Sequence, residues 1–538
     1  MFFSFVALVV LTQGVHASYE MITGYKPDTQ VTDHAAIDLD QKSIETLLAQ
    51  QTEDSFQKAQ DIYEQGGNSK SIATVTVDGT LKVEIEDKTV LTGTSVDGQV
   101  ITGKAKGDFS VGSPTISIQY STSDVQASYV GCQVGAQYAA GLHTTDGCFA
   151  ATGNLTLGGT LIPYTYTVET DNSNGRTIQG FSTSAKSKQL DNSASCPGCP
   201  YAEFLKYYNY YGDHDYADKF ITAAFDGTRA TFSNGLGSAD FSQYGLIGRE
   251  QAAKMGTAYM SIYMYVIREM EDAIDDCSVG CIDCNDDPVY SWDEAVAFYS
   301  GSLEGPSGSS EGKLGYRLAE KLCQHFKTCG PNGDSLEGTS KVNYDMFSQF
   351  ALGQNDLLMG NCPALRKTVD RITDLMAVPL IQGTIRYAYK VNKLQGAEKE
   401  KAEGAVFAAA VLPRVHACSP EDAETIYNNM KVGASSTSFS AVKTAFENNY
   451  ECMNIDCATV GGLYNDASGE YYPGAGLCED KSTSESSSSD DTLAIALGVT
   501  FGVVALIVCG VLFHMVRKEK QGNPLFAPTK TPHPNEMS

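Results

Sequence analysis

Tryptophan is nearly missing from this chain, with one residue, Trp292, in 538. Histidine is scarce as well, at eight residues, which argues against a His-rich zinc or copper centre. No HExxH, GxSxG, P-loop or strand-borne GxGxxG occurs. Metalloprotease, α/β-hydrolase, NTPase and dinucleotide chemistry therefore lack their usual machinery. Positive charge is in deficit: 38 Lys and Arg stand against 65 Asp and Glu, a formal net of −27. That balance disfavours nucleic acid and anionic surfaces and suits cations, although solubility alone explains much of it. Paired carboxylates of the glycosidase kind are too common to count as evidence. We expect a binding protein, not an enzyme.

The apolar runs sit at the two ends. Residues 1–17 read as a secretory signal: Phe2–Leu11 is apolar, and Val15-His16-Ala17 offers a small residue at the cleavage point. A basic n-region is missing. Leu493–Phe513 is uncharged and long enough to cross a bilayer of ~30 Å. Arg517, Lys518 and Lys520 follow it, which sets the C-terminus in the cytoplasm. A GPI signal would carry no basic tail. These ends predict a type I, single-pass plasma-membrane protein with an acidic ectodomain.

Fourteen of the fifteen Cys lie outside the apolar run, an even number that implies disulfides in a secreted chain. Cys132/Cys148, Cys323/Cys329 and Cys452/Cys457 are plausible close pairs, but spacing cannot give the connectivity. Cys196-Pro-Gly-Cys199 has redox spacing without a thioredoxin frame, and Cys277, Cys281 and Cys284 have zinc-like spacing. An oxidising compartment favours disulfides for both.

The fold class expected is α+β, with a β-rich N-terminal segment and a larger, mainly α-helical domain ahead of a single transmembrane helix. Residues 18–40 read as irregular and polar, and 41–65 as a helix stopped by Gly66-Gly67. From 71 to about 184 the period is two, with hairpin signals at Asp78-Gly79 and Asp97-Gly98 and later strands at 154–161 and 164–170. Asn154 is a glycosylation acceptor expected on a turn or edge. The domains expected are 18–190, helix plus β-rich, and 191–480, helical and disulfide-stapled. The latter has helices near 201–211, 215–224, 247–276, 292–300, 312–327, 341–353, 364–391, 398–417, 420–431 and 438–449. A Ser-rich stalk (481–491), the span (492–516) and a tail (517–538) complete the chain. Ser55-Phe56-x-x-Ala59-x-x-x-Tyr63 repeats as Ser291-Trp292-x-x-Ala295-x-x-x-Tyr299, through duplication or chance.

Function is expected between Tyr201 and Gly305, where phenols, carboxylates and two Arg-Glu pairs crowd together. A hard, oxygen-loving cation and a small anion need such side chains. On the 247–276 helix, Met255, Tyr259, Ile262, Val266, Met270 and Ile274 form the core stripe, while Tyr265, Glu269 and Asp272 share another face with Arg268. A surface ion-pair ladder explains that face equally well. Arg249 opens the helix, where free N–H groups favour an anion such as carbonate. Tyr207 to Asp218 offers four tyrosines before Asp213, His214 and Asp215. Core tyrosines and an acidic turn are the plainer account. Asp293 and Glu294, with Tyr299 and Glu304 beyond them, add carboxylates and a phenol, and Asp293 also fits a helix-start acid. The metal ligands expected are Tyr211, His214, Asp215, Tyr265, Glu269 and Asp293, with Arg249 and Arg268 holding the anion.

The blocks YYGDHDYADKF, REQAAKMGTAYMSIYMYVIREMEDAIDDC, WDEAVAFYSGSLEG and LIQGTIRYAYK resemble the phytotransferrins of marine algae, relatives of the algal iron-assimilation proteins. The resemblance spans most of residues 41–478 and is weaker in the β-rich part. It implies a cell-surface ferric-iron binder that takes carbonate as synergistic anion and is internalised by endocytosis. Asn523, Pro524 and Phe526, in NPLF, resemble an internalisation signal read by an endocytic adaptor, or a chance match. The alternative is a disulfide-stapled adhesion or receptor module that binds a protein or glycan.

Overall fold

The computed structural model describes residues 21–29, 31–66, 72–94, 100–105, 107–119, 150, 152–165, 177–194, 199–278 and 288–478. The expected signal, stalk, span and tail, with Asn523, Pro524 and Phe526, lie outside them, as do Cys132/Cys148 and Asp97-Gly98. Among the described residues no helix is long and apolar enough to cross a membrane.

The N-terminal segment is more ordered than its polarity suggests. After a bridge between Ile22 and Tyr25 come α1 (Thr32–Ala35), α2 (Ile37–Leu48) and α3 (Glu53–Gln65). The single helix expected over 41–65 is thus two. Gln51 takes φ 51°, and Thr52 accepts from Ser55 N at 3.1 Å as N-cap, so the chain restarts there.

Six strands follow: β1 (Ile72–Val77), β2 (Val90–Thr94), β3 (Val100–Ala105), β4 (Thr115–Gln119), β5 (Thr152–Leu157) and β6 (Thr160–Thr165). They close an antiparallel barrel in the order β1-β4-β3-β2-β5-β6. Gly158 and Gly159, both at positive φ, make the two-residue turn joining β5 to β6. Asp78-Gly79 turns the chain without making a hairpin, since β1 pairs with β4 and β6. The alternating run after it reaches only a bridge, Ile85 to Phe109, while Leu81 and Ile85 fill the barrel's core. Asn154 is exposed in β5 opposite Pro163, within a paired strand and not at a turn or edge.

The helical body runs through α4 (Ile178–Thr183), α5 (Ala202–Tyr211), α6 (Tyr216–Asp226), α7 (Leu246–Gly256), α8 (Tyr263–Ser278) and α9 (Pro288–Ser300). It continues with α10 (Gly315–Phe326), α11 (Lys341–Leu358), α12 (Cys362–Lys393), α13 (Glu398–Cys418), α14 (Pro420–Met430), α15 (Phe439–Glu447) and α16 (Cys457–Val460). A π-helical stretch, Thr257–Ile262, joins α7 to α8 in one continuous rod. Two-residue strands β7 (Arg229–Ala230), β8 (Ala239–Asp240), β9 (Tyr464–Asn465) and β10 (Glu470–Tyr471) pair locally. The barrel's core is its own cluster, whereas Ile37, Ile44, Phe56 and Tyr63 of α2 and α3 join the helical core. Both copies of the Ser-aromatic-Ala-Tyr pattern are buried, on α3 and on α9.

Cys323 and Cys329 are bonded as expected. Cys452 bonds Cys418, and Cys457 bonds Cys478, replacing the expected local pair. Cys277 bonds Cys362, tying α8 to the start of α12, so Cys277 is no zinc ligand. Cys199 is disulfide-bonded as well.

Candidate functional site

The face of α8 that carries Tyr265, Arg268, Glu269 and Asp272 turns inward. Arg268 lies at the centre, and burial, not exposure, overturns the surface-ladder reading. Its guanidinium gives one hydrogen bond to the Tyr265 hydroxyl at 3.1 Å and another to Asp272 Oδ2 at 2.8 Å, and it pairs with Glu269. It also stands 5.1 Å from the Tyr265 ring. Tyr201 donates to Asp272 at 3.2 Å from the other side. The Tyr265 ring is stacked on Phe181 of α4 at 3.7 Å and meets Phe298 of α9 at 5.2 Å, which fixes where the phenol points.

From α9, Glu294 faces this group and pairs with His34 of α1. Tyr290, one turn earlier on α9, sits 3.3 Å from His34 Nε2. Burial pushes the Glu269 carboxyl above the usual range; Arg268 opposes that, and the Glu294 and Asp272 charges add to it. Burial works against the Arg268 charge, yet Glu269 and its other anionic neighbours hold it strongly cationic. Arg268 Nε is buried with no acceptor. The guanidinium thus has a phenol and two carboxylates around it and one donor to spare, and the Glu294–His34 pair lies on the neighbouring helix α9 and on α1. Among the described residues, no three His, Cys, Asp or Glu side chains form a ready metal cluster by themselves. A cation held here needs the Tyr265 phenol, or an added anion, to complete its shell.

The other expected ligands lie elsewhere. Tyr211 is fully buried, donates to Ala409 O at 2.8 Å and stacks on Tyr216 at 4.8 Å, so its phenol is spent in the core. Asp215 and Asp213 form an acidic turn paired with Lys219 at 3.6 and 2.7 Å. His214 sits in that turn, and among the described residues it makes no hydrogen bond or ion pair with its acidic neighbours. Asp293 precedes Glu294 but points the other way. It accepts from Tyr25 Oη at 2.6 Å, from the N–H groups of Asp28 and Thr29 at 2.9 and 2.8 Å, from Thr29 Oγ1 at 2.7 Å, and from Gln354 at 3.1 Å. Five donors saturate it, which makes it a clamp on the N-terminal segment. Tyr299 likewise gives its proton to Asn343 at 2.7 Å.

Arg249 also departs from expectation. It donates to the carbonyls of Ala224 and Phe225, so it caps the C-terminal end of α6, and it pairs with Glu53 at 3.1 Å. The N-terminal N–H of Gly248 on α7 is taken by Glu398 at 2.8 Å. The anion at that helix start is a carboxylate of the chain itself. Of the eight residues expected to hold metal or anion, Tyr265, Arg268 and Glu269 meet in one place.

Sequence reasoning missed His34 altogether and left Glu294 as one acid among several. Both lie far from α8 in the sequence, and the polar run that holds His34 shows no chemistry-bearing pattern. No known protein family, curated protein or solved structure matches the chain.

Proposed function

We propose that this protein captures ferric iron at the cell surface, together with carbonate, at the Tyr265–Arg268–Glu269–Glu294–His34 cluster. One observation carries the reading. A phenol and two carboxylates surround a buried guanidinium whose Nε lacks an acceptor, and the charge of Glu294, itself paired with His34, acts on the same group. Hard trivalent iron prefers anionic oxygen and drives protons off its ligands. A planar oxyanion suits the open donor of Arg268. The resemblance of the long blocks to phytotransferrins supports the same reading, as does the strongly acidic chain. Anchoring by the C-terminal apolar run and internalisation through NPLF belong to this proposal.

Release follows from the protonation states. Glu269 sits above the usual carboxylate range, so protons compete with the metal for it well before the acid of an unperturbed carboxylate is reached. Acidification adds protonation of carbonate and phenolate.

The test is direct. Purified protein is titrated with ferric iron, with and without bicarbonate, and the visible phenolate-to-iron band is followed. The expected result is a band that needs bicarbonate and vanishes in Tyr265→Phe. Tight binding indifferent to bicarbonate would remove the anion, and a band that survives Tyr265→Phe would move the site elsewhere.

A protein- or glycan-binding role for the barrel is the second reading. Val100 on β3 and Leu161 on β6, 65% and 62% exposed, favour it. Binding to cells that persists in chelator would support it.

A further inference from the structure

The segment ahead of α2, residues 21–29 and 31–35, has a sequence that cannot hold itself in place. Thr23 and Gly24 turn it at φ 48° and 88°, Pro27 interrupts it, and α1 is four residues, too short to be stable alone. Its position comes from α9. Tyr290, Asp293, Glu294, Ala297 and Ser300 stand at i, i+3, i+4, i+7 and i+10, one stripe along that helix. The segment follows this stripe in the opposite direction. His34 meets Glu294 and Tyr290, its ring 5.4 Å from the Tyr290 ring. Tyr25, Asp28 and Thr29 meet Asp293. Thr23 Oγ1 lies 3.3 Å from Ser300 Oγ, and Thr23 N donates to Gly305 O at 2.9 Å just beyond the helix.

The attachment is mostly polar and local. Ile22, Val31 and Ala35 join Ala297 in an apolar cluster of their own, apart from the main core. Among the described residues of the segment, Tyr25 alone belongs to the main cluster, edge-on to Phe350 at 6.5 Å. The next helix is different: Ile37, Ile44 and Leu48 of α2 are fully buried in the main core. The change falls at Ala36, the single residue between α1 and α2. Asp293 supplies most of the polar hold, since Tyr25, Asp28 and Thr29 provide four of its five donors. Gln354, the fifth, also donates to Lys26 O at 3.1 Å. Beneath the segment the Glu294 side chain is only 12% exposed. Phe298, 5.7 Å from the His34 ring, leads on to Tyr265.

We propose that this segment is a strap that lifts from α9 about a hinge at Ala36, with Asp293 as its latch, and that lifting opens Glu294 to solvent. Few apolar contacts and a separate cluster let the strap open more readily than the helices beneath it. A cation approaching the α8–α9 cluster from this side enters while the strap is up, and closure returns His34 to Glu294 behind it. That gating role rests on the ferric-iron reading of the cluster; the lifting itself does not.

The experiment uses the full-length protein, first free of metal, with two labels read by mass spectrometry. Hydrogen exchange at Asp28 and Thr29 reports the latch, because both N–H groups donate to Asp293. Carbodiimide labelling of the Glu294 carboxyl reports what lies beneath. In the parent, the two amides should exchange by local opening, faster than those of α9. Asp293→Asn should speed both exchange and labelling by about ten-fold. Thr29→Val, which loses only the Oγ1 donor, should give a smaller rise, and it takes the place of Asp293→Asn if circular dichroism shows that variant misfolded. Thr23→Cys/Ser300→Cys should form a disulfide that holds the strap down, so Glu294 is labelled more slowly than in either single variant. Exchange of Asp28 and Thr29 at the same limit as α9, or equal labelling of Glu294 in parent, weakened and locked forms, overturns the strap. Ferric iron is then added to each form, and the phenolate band is followed in time. Loading should be slower in the locked form and faster in Asp293→Asn. A locked protein that loads as fast as its single variants overturns the gate. A band missing from every form would remove the iron reading, while the metal-free labels still decide the strap.

Discussion

At the scale of single residues, buried charge is what distinguishes this molecule. Asp38 is fully buried, accepting from Ser302 Oγ and Leu303 N at 2.7 Å each, and burial pushes its carboxyl up to about 7. Its folded value lies above its unfolded one. It therefore contributes stability that is complete below the unfolded value and is lost as pH rises through about 7. In Asp38→Asn the urea midpoint should change less between pH 5 and pH 8.5 than in the parent; an identical pH slope would show the carboxyl to be silent. Arg414 presents the converse case. It bridges Glu203 at 3.3 Å and Asp374 at 2.5 Å inside the core, and despite the opposing cost of burial it holds Glu203 below the usual carboxylate range. That contribution is present above the unfolded value and lost in acid. Arg414→Ala strands the buried Glu203 charge, so a loss of about 3–5 kcal/mol is expected in denaturant unfolding.

At the scale of elements, most helices were legible because one face is apolar and the breaks are marked. Those expected over 341–353, 364–391, 398–417 and 420–431 appear with ends shifted by a few residues. What stayed hidden needed partners distant in sequence. The run after Gly79 alternates like a strand, yet its apolar side chains plug the barrel. The Tyr207–Asp218 stretch looks like a ligand set, yet Tyr207 and Tyr211 donate to the carbonyls of Ala410 and Ala409 on α13. Tyr265, Arg268 and Glu269 were legible through helical spacing alone, whereas His34 was not, because nothing local marks it. Element packing also gives predictions. A Cβ on Gly353 of α11 would fall 2.0 Å from Trp292 of α9. Gly353→Ala should therefore cost about 1–3 kcal/mol through overpacking, read as a lowered melting temperature. Cys277→Ser with Cys362→Ser opens a loop of 85 residues, and chain-entropy arguments set the loss at about 4–5 kcal/mol. A melting temperature unchanged by the double substitution would place that constraint elsewhere.

At the scale of the whole molecule, the barrel and the helical body keep separate apolar cores. Separate cores open separately. Hydrogen exchange should sort amides of β1–β6 and amides of α7–α13 into two groups with different opening free energies. One shared exchange limit across both would show a single cooperative unit.

The pairing of His34 with Glu294 has a consequence for timing. These two side chains are 260 positions apart, and the segment just before His34 is held against α9 by the four donors that Tyr25, Asp28 and Thr29 give to Asp293. A ribosome delivers the imidazole early and its partners only past the middle of the chain. Until α9 has emerged and docked, the growing chain holds the imidazole without its carboxylate partner, so the buried pair can form only after more than half of the chain has been made.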